Sequence, residues 1–88
     1  MAVKFREKAL MAYETMPINQ KDKVSQIIKL LNINNQQSLK PHKLHKLNGE
    51  GLETWVVRVD PTIRLLFTEI DKDFLIIDII DRAKRDYQ

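Results

Sequence analysis

The sequence predicts an α+β fold in which an N-terminal helical hairpin packs on an antiparallel β-sheet meander. Two apolar stripes with helical spacing come first, and Pro17 separates them. Three runs rich in Val, Ile, Leu and aromatic residues occupy the second half of the chain, as is typical of strands. Because only short turn sequences separate these runs, neighbouring strands must be antiparallel.

The two helices are predicted from apolar residues that recur every three or four positions. The first helix has its stripe at Phe5, Ala9, Ala12, Tyr13 and Met16. Pro17 ends this run, and Asn19 is the expected N-cap of the second helix. The second stripe consists of Val24, Ile27, Ile28 and Leu31. Together the two stripes need an apolar surface to cover.

Three strands are expected to supply that surface. They are Thr54 to Asp60, Ile63 to Ile70 and Phe74 to Asp81. Their connections are the turn sequences Asp60-Pro61-Thr62 and Asp71-Lys72-Asp73. Two shorter segments, Met1 to Phe5 and Lys43 to Leu47, are candidates for additional extended pieces.

Length and composition indicate one soluble domain over residues 1–88. Eighty-eight residues, 43% of them hydrophobic, can build a single modest core. The absence of cysteine excludes a disulfide framework, a thiolate metal site and a Cys nucleophile, and it fits a reducing cytoplasm. The longest apolar stretch, Phe74 to Ile80, is interrupted by Asp78, and the N-terminus is charged too early for a secretory signal. We therefore expect a cytoplasmic protein without a membrane partner.

The positive charge is clustered. The net charge is +3 and the pI is about 9.3, which alone is a weak argument for a polyanionic partner. The segment from Lys40 to Lys46, however, contains three Lys, two His and no acid. Further basic residues follow at Arg58, Arg64, Arg82, Lys84 and Arg85. This distribution favours phosphate binding.

Two of these arginines are predicted to lie side by side. If the first turn occupies residues 60–62, Arg58 and Arg64 are directly opposed on neighbouring strands and share a face. Like charges in this arrangement are unfavourable unless an anion lies between or above them, and an RNA phosphate would serve. A second turn centred on Lys72 would place Ile80 opposite Arg64, with Asp78 and Arg82 on the same face. The alternative is that Asp78 neutralises one arginine and that both arginine stems cover apolar surface.

Metal-independent RNA cleavage needs a base for the 2′-hydroxyl, an acid for the leaving 5′-oxygen and cations for the phosphate. Arg58 and Arg64 are candidates for the cations. The side chains that titrate near neutrality are His42 and His45, and the phenols are Tyr13 and Tyr87. A histidine in a Lys-rich loop is more often merely solvated. For Tyr87, a place in a frayed terminus or in core packing is as good an interpretation as a role in cleavage.

The segment from Lys43 to Phe67, KLHKLNGEGLETWVVRVDPTIRLLF, resembles the RelE/ParE/HigB toxin superfamily. In that superfamily a Leu-Gly-containing turn, an Arg-Val strand and an Arg-hydrophobic-hydrophobic-aromatic strand follow in this order. Upstream, FREKALMAYETMP is similar to the first helix of the family, and downstream, DFLIIDIIDRAKRDY is similar to its last strand and basic tail. The resemblance implies a RelE-like fold.

The resemblance also implies a function. We expect the toxin of a type II toxin–antitoxin system, a ribosome-dependent mRNA endoribonuclease (mRNA interferase) that stops translation by 2′-hydroxyl attack. No metal and no other cofactor is expected. The implied partners are a cognate antitoxin protein, the ribosome and mRNA. An exposed cationic sheet face is also suited to an acidic, partly disordered wrapping segment.

The resemblance assigns individual roles. Arg64 matches the arginine that contacts the scissile phosphate, and Arg58 matches a basic position that holds and activates the RNA. Arg82 matches the arginine proposed to protonate the leaving group. His45 is similar to the histidine that HigB-like members use in cleavage, and Tyr87 to the tyrosine that stacks near the cleaved nucleotide. The basic residues expected to bind RNA around this set are Lys43, Lys46, Lys84 and Arg85.

The chain also departs from the family pattern. Val56 stands where RelE-like members place the lysine regarded as general base. HigB-like chains end in Asp-Tyr-His, whereas this chain ends Asp86-Tyr87-Gln88. The general base therefore stays open. Two alternatives to an mRNA endoribonuclease follow, a ParE-like DNA gyrase inhibitor and a catalytically silent module that binds only an antitoxin.

Overall fold

The computed structural model describes residues 2–34, 44–47 and 53–85, and within these ranges all side chains except those of residues 32–34, 45, 84 and 85. The elements in chain order are β1 (Val3–Phe5), α1 (Glu7–Thr15), α2 (Ile18–Asn34), β2 (His45–Leu47), β3 (Thr54–Arg58), β4 (Ile63–Ile70), β5 (Asp73–Asp81) and α3 (Arg82–Arg85). The α+β class is confirmed. None of the helices in these ranges has both the length and the apolar character needed to span a membrane.

The strands form one sheet in the order β1-β5-β4-β3-β2. Strands β3 to β5 are the predicted antiparallel meander, and the two short candidate segments are present as β1 and β2 at the ends of the sheet. The sheet as a whole is mixed rather than purely antiparallel, because β1 pairs with β5 in parallel. Backbone bonds from Phe74 N to Ala2 O (2.9 Å) and from Arg6 N to Ile76 O (2.9 Å) fasten β1 there. β1 thus covers an edge that β5 would otherwise expose.

The helical hairpin is present, but both of its predicted starts are shifted. Phe5 belongs to β1 rather than to the first helix, and its ring lies 5.7 Å from that of Tyr13. Asn19 is not an N-cap, because α2 already begins at Ile18. The carbonyl of Pro17 accepts the first helical bond, from Lys21 N at 2.9 Å. Proline at a helix start loses no hydrogen bond, so α2 begins directly after it.

The core lies between the helices and one face of the sheet. From the helices it receives Ala9, Val24, Ile27 and Leu31, and from the strands Val57, Ile63, Leu65, Phe67, Phe74, Ile76 and Ile79. Phe67 and Phe74 meet edge to face at 5.7 Å between ring centroids. Since the helices occupy this face, the residues that alternate with these strand positions lie on the opposite face.

The β4–β5 hairpin combines a tight turn with a register shift. Ile70 pairs with Asp73, so the turn contains only Asp71 and Lys72 rather than three residues centred on Lys72. Further along, a β-bulge between Leu66 and Phe67 adds one residue on β5. Beyond the bulge, Arg64 pairs with Ile80 as predicted, because the bulge compensates for the shorter turn.

Candidate active site

The face of the sheet opposite the helices carries an opposed pair of arginines. Arg58 of β3 pairs directly with Arg64 of β4, as the sequence predicts. Val56, Leu66 and Ile80 lie beside them in the register. We call the surface formed by these five residues the arginine face.

Arg82 adds a third positive charge at the end of this face. It is the first residue of α3 rather than the last of β5, and its amide donates to Thr62 O at 2.8 Å. This bond ties Arg82 to the β3–β4 turn, next to Arg64. Asp81 Oδ1 accepts a bond from Ala83 N (3.0 Å), which caps the short helix.

The three arginines repel one another. Burial lowers the pKa of Arg64 below its ordinary value, the charges of Arg58 and Arg82 lower it further, and the charge of Asp60 acts in the opposite direction. Within the described part of the chain, none of the three arginines forms a salt bridge with an acid. A cluster of this kind is chemically suited to an anion that accepts several charged hydrogen bonds.

The turn between β3 and β4 holds the Arg64 guanidinium. Its Nη1 donates to the carbonyl oxygens of Asp60 (2.9 Å), Pro61 (3.3 Å) and Ile63 (3.2 Å). No described group of the protein accepts a bond from its Nε or Nη2. Arg64 is therefore fixed through Nη1, and its other donors are unpaired among the described residues.

Asp60 in turn organises that turn. Its Oδ1 accepts bonds from Thr62 N (2.9 Å), Ile63 N (2.7 Å) and Thr62 Oγ1 (3.3 Å). Its Oδ2 lies 3.9 Å from Lys23 Nζ on α2. Burial raises the pKa of Asp60, but the bonds from Thr62 and Ile63 and the charge of Lys23 outweigh burial, so the pKa lies below its ordinary value. Sequence reasoning missed this residue, although an Asp two positions before a Thr at a turn is a known signal for such a capped turn.

Asp78 takes the predicted register, opposite Leu66. Its ion pair among the described side chains is with Lys8 of α1, at 3.2 Å, and its Oδ1 accepts a bond from Ile79 N at 2.8 Å. The interpretation in which Asp78 neutralises Arg58 or Arg64 is therefore not what these side chains show.

The remaining predicted site residues do not all lie at the arginine face, and some lie outside the described part. The backbone of His45 pairs with Val56 of the arginine face, but its side chain lies outside the described part. Lys46 pairs with Trp55, which packs against the core, and its Nζ lies 2.9 Å from Glu53 Oε1. The structure thus does not bring Lys46 to the arginine face. The predictions that lie outside the described residues or side chains are Lys43, Tyr87, Lys84 and Arg85.

Val56, at the position of the family lysine, is 7% exposed and lies between His45 and Leu66 in the register. An aliphatic side chain cannot take a proton, so the structure offers no base at this position. Among the described residues, no three His, Asp or Glu side chains converge as a metal site would require.

The chain matches known proteins in its structure rather than in its sequence. No protein-family model and no curated protein sequence matches the chain. Solved structures do match. RelE of the archaeal RelE–RelB complex from Pyrococcus horikoshii OT3 has a TM-score of 0.76 at 20% identity, over 94% of this chain and 96% of that one. YoeB from the Staphylococcus aureus YoeB dimer has a TM-score of 0.75 at 19% identity, over 91% and 94%.

A third match is YafQ from E. coli strain BL21(DE3), with a TM-score of 0.76 at 16% identity and 94% of both chains covered. The chain has the RelE-like fold of these structures. The resemblance seen in the sequence is thereby confirmed at the level of the fold.

Proposed function

We propose that the protein is the toxin of a type II toxin–antitoxin pair and that it cuts mRNA on the ribosome. The main support is the arrangement of Arg58, Arg64 and Arg82, three cations that form no salt bridge with an acid among the described residues. The RelE-like fold, which this chain shares with RelE, YoeB and YafQ, supports a toxin role.

The chemistry proposed is attack of the substrate's own 2′-hydroxyl on the adjacent phosphate. Negative charge develops on the phosphoryl oxygens in the transition state, and fixed guanidinium groups stabilise this charge. Arg64, held by the turn, is suited to the phosphate itself. Arg58 lies directly opposite and neutralises the same anion, and Arg82 is suited to the leaving 5′-oxygen. No metal is required for this step.

Further residues are proposed for proton transfer, for stacking and for docking of the RNA. His45 is the candidate base, since the backbone register places it next to the arginine face. Tyr87 is the candidate for stacking on the cleaved nucleotide. The residues proposed to dock the RNA and the ribosome are Lys43, Lys46, Lys84 and Arg85. Lys46 would do so from a separate surface, because it lies away from the arginines.

The proposed protein partner is an acidic antitoxin in the same cytoplasm. Structural neighbours were solved as complexes of RelE with RelB, YoeB with YefM and YafQ with DinJ. The unneutralised arginines would attract acidic side chains as readily as a phosphate. We propose that antitoxin binding and RNA binding compete for this surface.

Cleavage of a ribosome-bound message tests the proposal. We expect Arg64→Ala to lower the cleavage rate by about 100-fold to 1,000-fold, as loss of one transition-state donor does in other enzymes. Lys29→Ala is the matched control, because it also removes one charge but lies exposed on α2. Equal activity of Arg64→Ala and Lys29→Ala would refute the proposed site.

Two other functions are distinguished by this cleavage assay together with measurements of translation and DNA supercoiling after induction. A gyrase inhibitor would leave early translation intact and change DNA supercoiling after induction. A silent module would bind its antitoxin but cleave no message. Either result would replace the nuclease proposal.

A further inference from the structure

We propose that Asp60 is a positioning residue that fixes the Arg64 guanidinium by building the β3–β4 turn around it. The effect on RNA cleavage rests on the proposed function, whereas the effect on Arg64 itself does not. Asp60 lies within the segment that carries the family resemblance, but the resemblance assigns it no role.

The Asp60 carboxylate holds the β3–β4 turn in place. Asp60 Oδ1 accepts three bonds from Thr62 and Ile63, at 2.7 to 3.3 Å. The side chain is only 10% exposed, so water competes weakly for these bonds. They define the conformation of residues 60–63.

The turn in turn holds the Arg64 guanidinium through its backbone carbonyls. The carbonyls of Asp60, Pro61 and Ile63 converge on one nitrogen, Nη1. Their positions depend on the same turn that the Asp60 carboxylate holds. Repulsion from Arg58 and Arg82 acts to move the guanidinium away from the cluster, and the three carbonyls oppose that movement.

The groups that accept bonds from Arg64 Nη1 are neutral carbonyls, and this neutrality matters for the proposed chemistry. A carboxylate bonded directly to Arg64 would neutralise it and compete with phosphate. Here the carboxylate acts one step away, because no described acid lies within 4.0 Å of the guanidinium nitrogens. Arg64 is thus oriented in advance and keeps its full charge, which is the condition for strong transition-state stabilisation.

Two substitutions at one position separate the turn from the charge. Asp60→Asn keeps an oxygen that can accept the bonds from Thr62 and Ile63, whereas Asp60→Ala keeps none. We expect Asp60→Ala to lower kcat for RNA cleavage by up to about 100-fold, and Asp60→Asn to restore most of it. Lys23→Ala is the control for the ion pair. Lys23 is half exposed and its contact with Asp60 is 3.9 Å, so we expect kcat to change less than about twofold.

A double-mutant comparison distinguishes positioning from a general loss of structure. If Asp60 acts through Arg64, Asp60→Ala has no further effect on kcat once Arg64 is already Ala. A merely structural role would lower kcat in both backgrounds by the same factor. Additive effects in fully folded variants would therefore overturn the proposal.

A measurement on the protein alone keeps the inference independent of the nuclease proposal. NMR of the arginine side chains reports rotation about the Cζ–Nη bonds, and we expect slow rotation at Arg64 Nη1 in the wild type and in Asp60→Asn. In Asp60→Ala, rotation should become as fast as in exposed Arg6. If no RNA is cleaved, only the proposed function fails, whereas unchanged slow rotation in Asp60→Ala would overturn the positioning role.

Discussion

At the proposed site, Arg64 meets two requirements of a cation that stabilises a phosphate. It must be rigid enough to act without reorganisation, and it must keep its charge available. The backbone carbonyls of the β3–β4 turn provide the first property, and the absence of a directly bonded acid among the described residues provides the second. Asp60 is the residue that makes both possible.

The pH dependence of stability follows from the same carboxylate. Because the pKa of Asp60 is lower in the folded protein, its contribution to stability is complete above its unfolded pKa and is lost as pH falls through the folded pKa. We expect Asp60→Asn to be less stable than wild type at neutral pH. The difference should shrink below about pH 4, where an ordinary aspartate begins to bind a proton.

Denaturant unfolding between pH 2 and pH 7 measures this difference. The exposed Glu69 of β4 provides the control, since Glu69→Gln removes a carboxylate that accepts no hydrogen bond from the described residues. A difference between wild type and Asp60→Asn that stays constant down to pH 2 would contradict the assigned linkage.

At the scale of the element, the β4–β5 hairpin decides which side chains lie opposite Arg64. Asp71 and Lys72 both have positive φ, 52° and 71°, which is the arrangement of a type I′ turn. Such a turn matches the twist of the strands but is unfavourable for residues with a Cβ. The hairpin accepts this cost at Lys72, where glycine is the preferred residue.

Replacing Lys72 by glycine should therefore stabilise the protein. Relief of the left-handed conformation is worth about 1–2 kcal/mol, and the extra freedom of glycine in the unfolded chain offsets about 0.4–1 kcal/mol of it. We expect Lys72→Gly to raise the free energy of unfolding by up to about 1 kcal/mol. Lys72→Ala keeps the Cβ and should not. Equal stability of the two variants would show that the turn is not strained at this residue.

The strand pairings around Arg64 were predictable from the sequence, whereas the length of the β4–β5 turn and the bulge were not. The Asp60-Pro61-Thr62 turn is short and rich in turn residues, so the pairing of Arg58 with Arg64 was predictable. The second turn was predicted one residue too long. The pairing of Arg64 with Ile80 is nevertheless correct, because the bulge between Leu66 and Phe67 restores the register. A bulge depends on packing on both faces of a sheet, which periodicity does not reveal.

Contacts between distant elements were likewise beyond the sequence. Phe5 fits a helical stripe equally well, and only the open edge of β5 explains why it lies in a strand. The pairs Lys8–Asp78 and Lys23–Asp60 join helix to sheet across long separations in the chain. Charge alone did not identify either partner, because the chain contains 15 Lys and Arg and 12 Asp and Glu.

On the scale of the whole molecule, one face of the sheet packs against the helices and the other carries the proposed site. The helices pack on the first face, with Val57, Leu65 and Ile79 fully or almost fully buried. The second face carries Arg58 and Arg64, with Arg82 at its end. A rigid layer with charges gathered on its free side is a suitable scaffold for holding a polyanion.

The chemical nature of the cleaved ends tests the central claim most directly. A ribosome-bound message is cut with wild-type protein, and the mapped site is then given a single 2′-deoxynucleotide. We predict a 2′,3′-cyclic phosphate on the 5′ fragment and no cut at the 2′-deoxy position. A 3′-hydroxyl end, or cleavage of the 2′-deoxy message, would contradict the account.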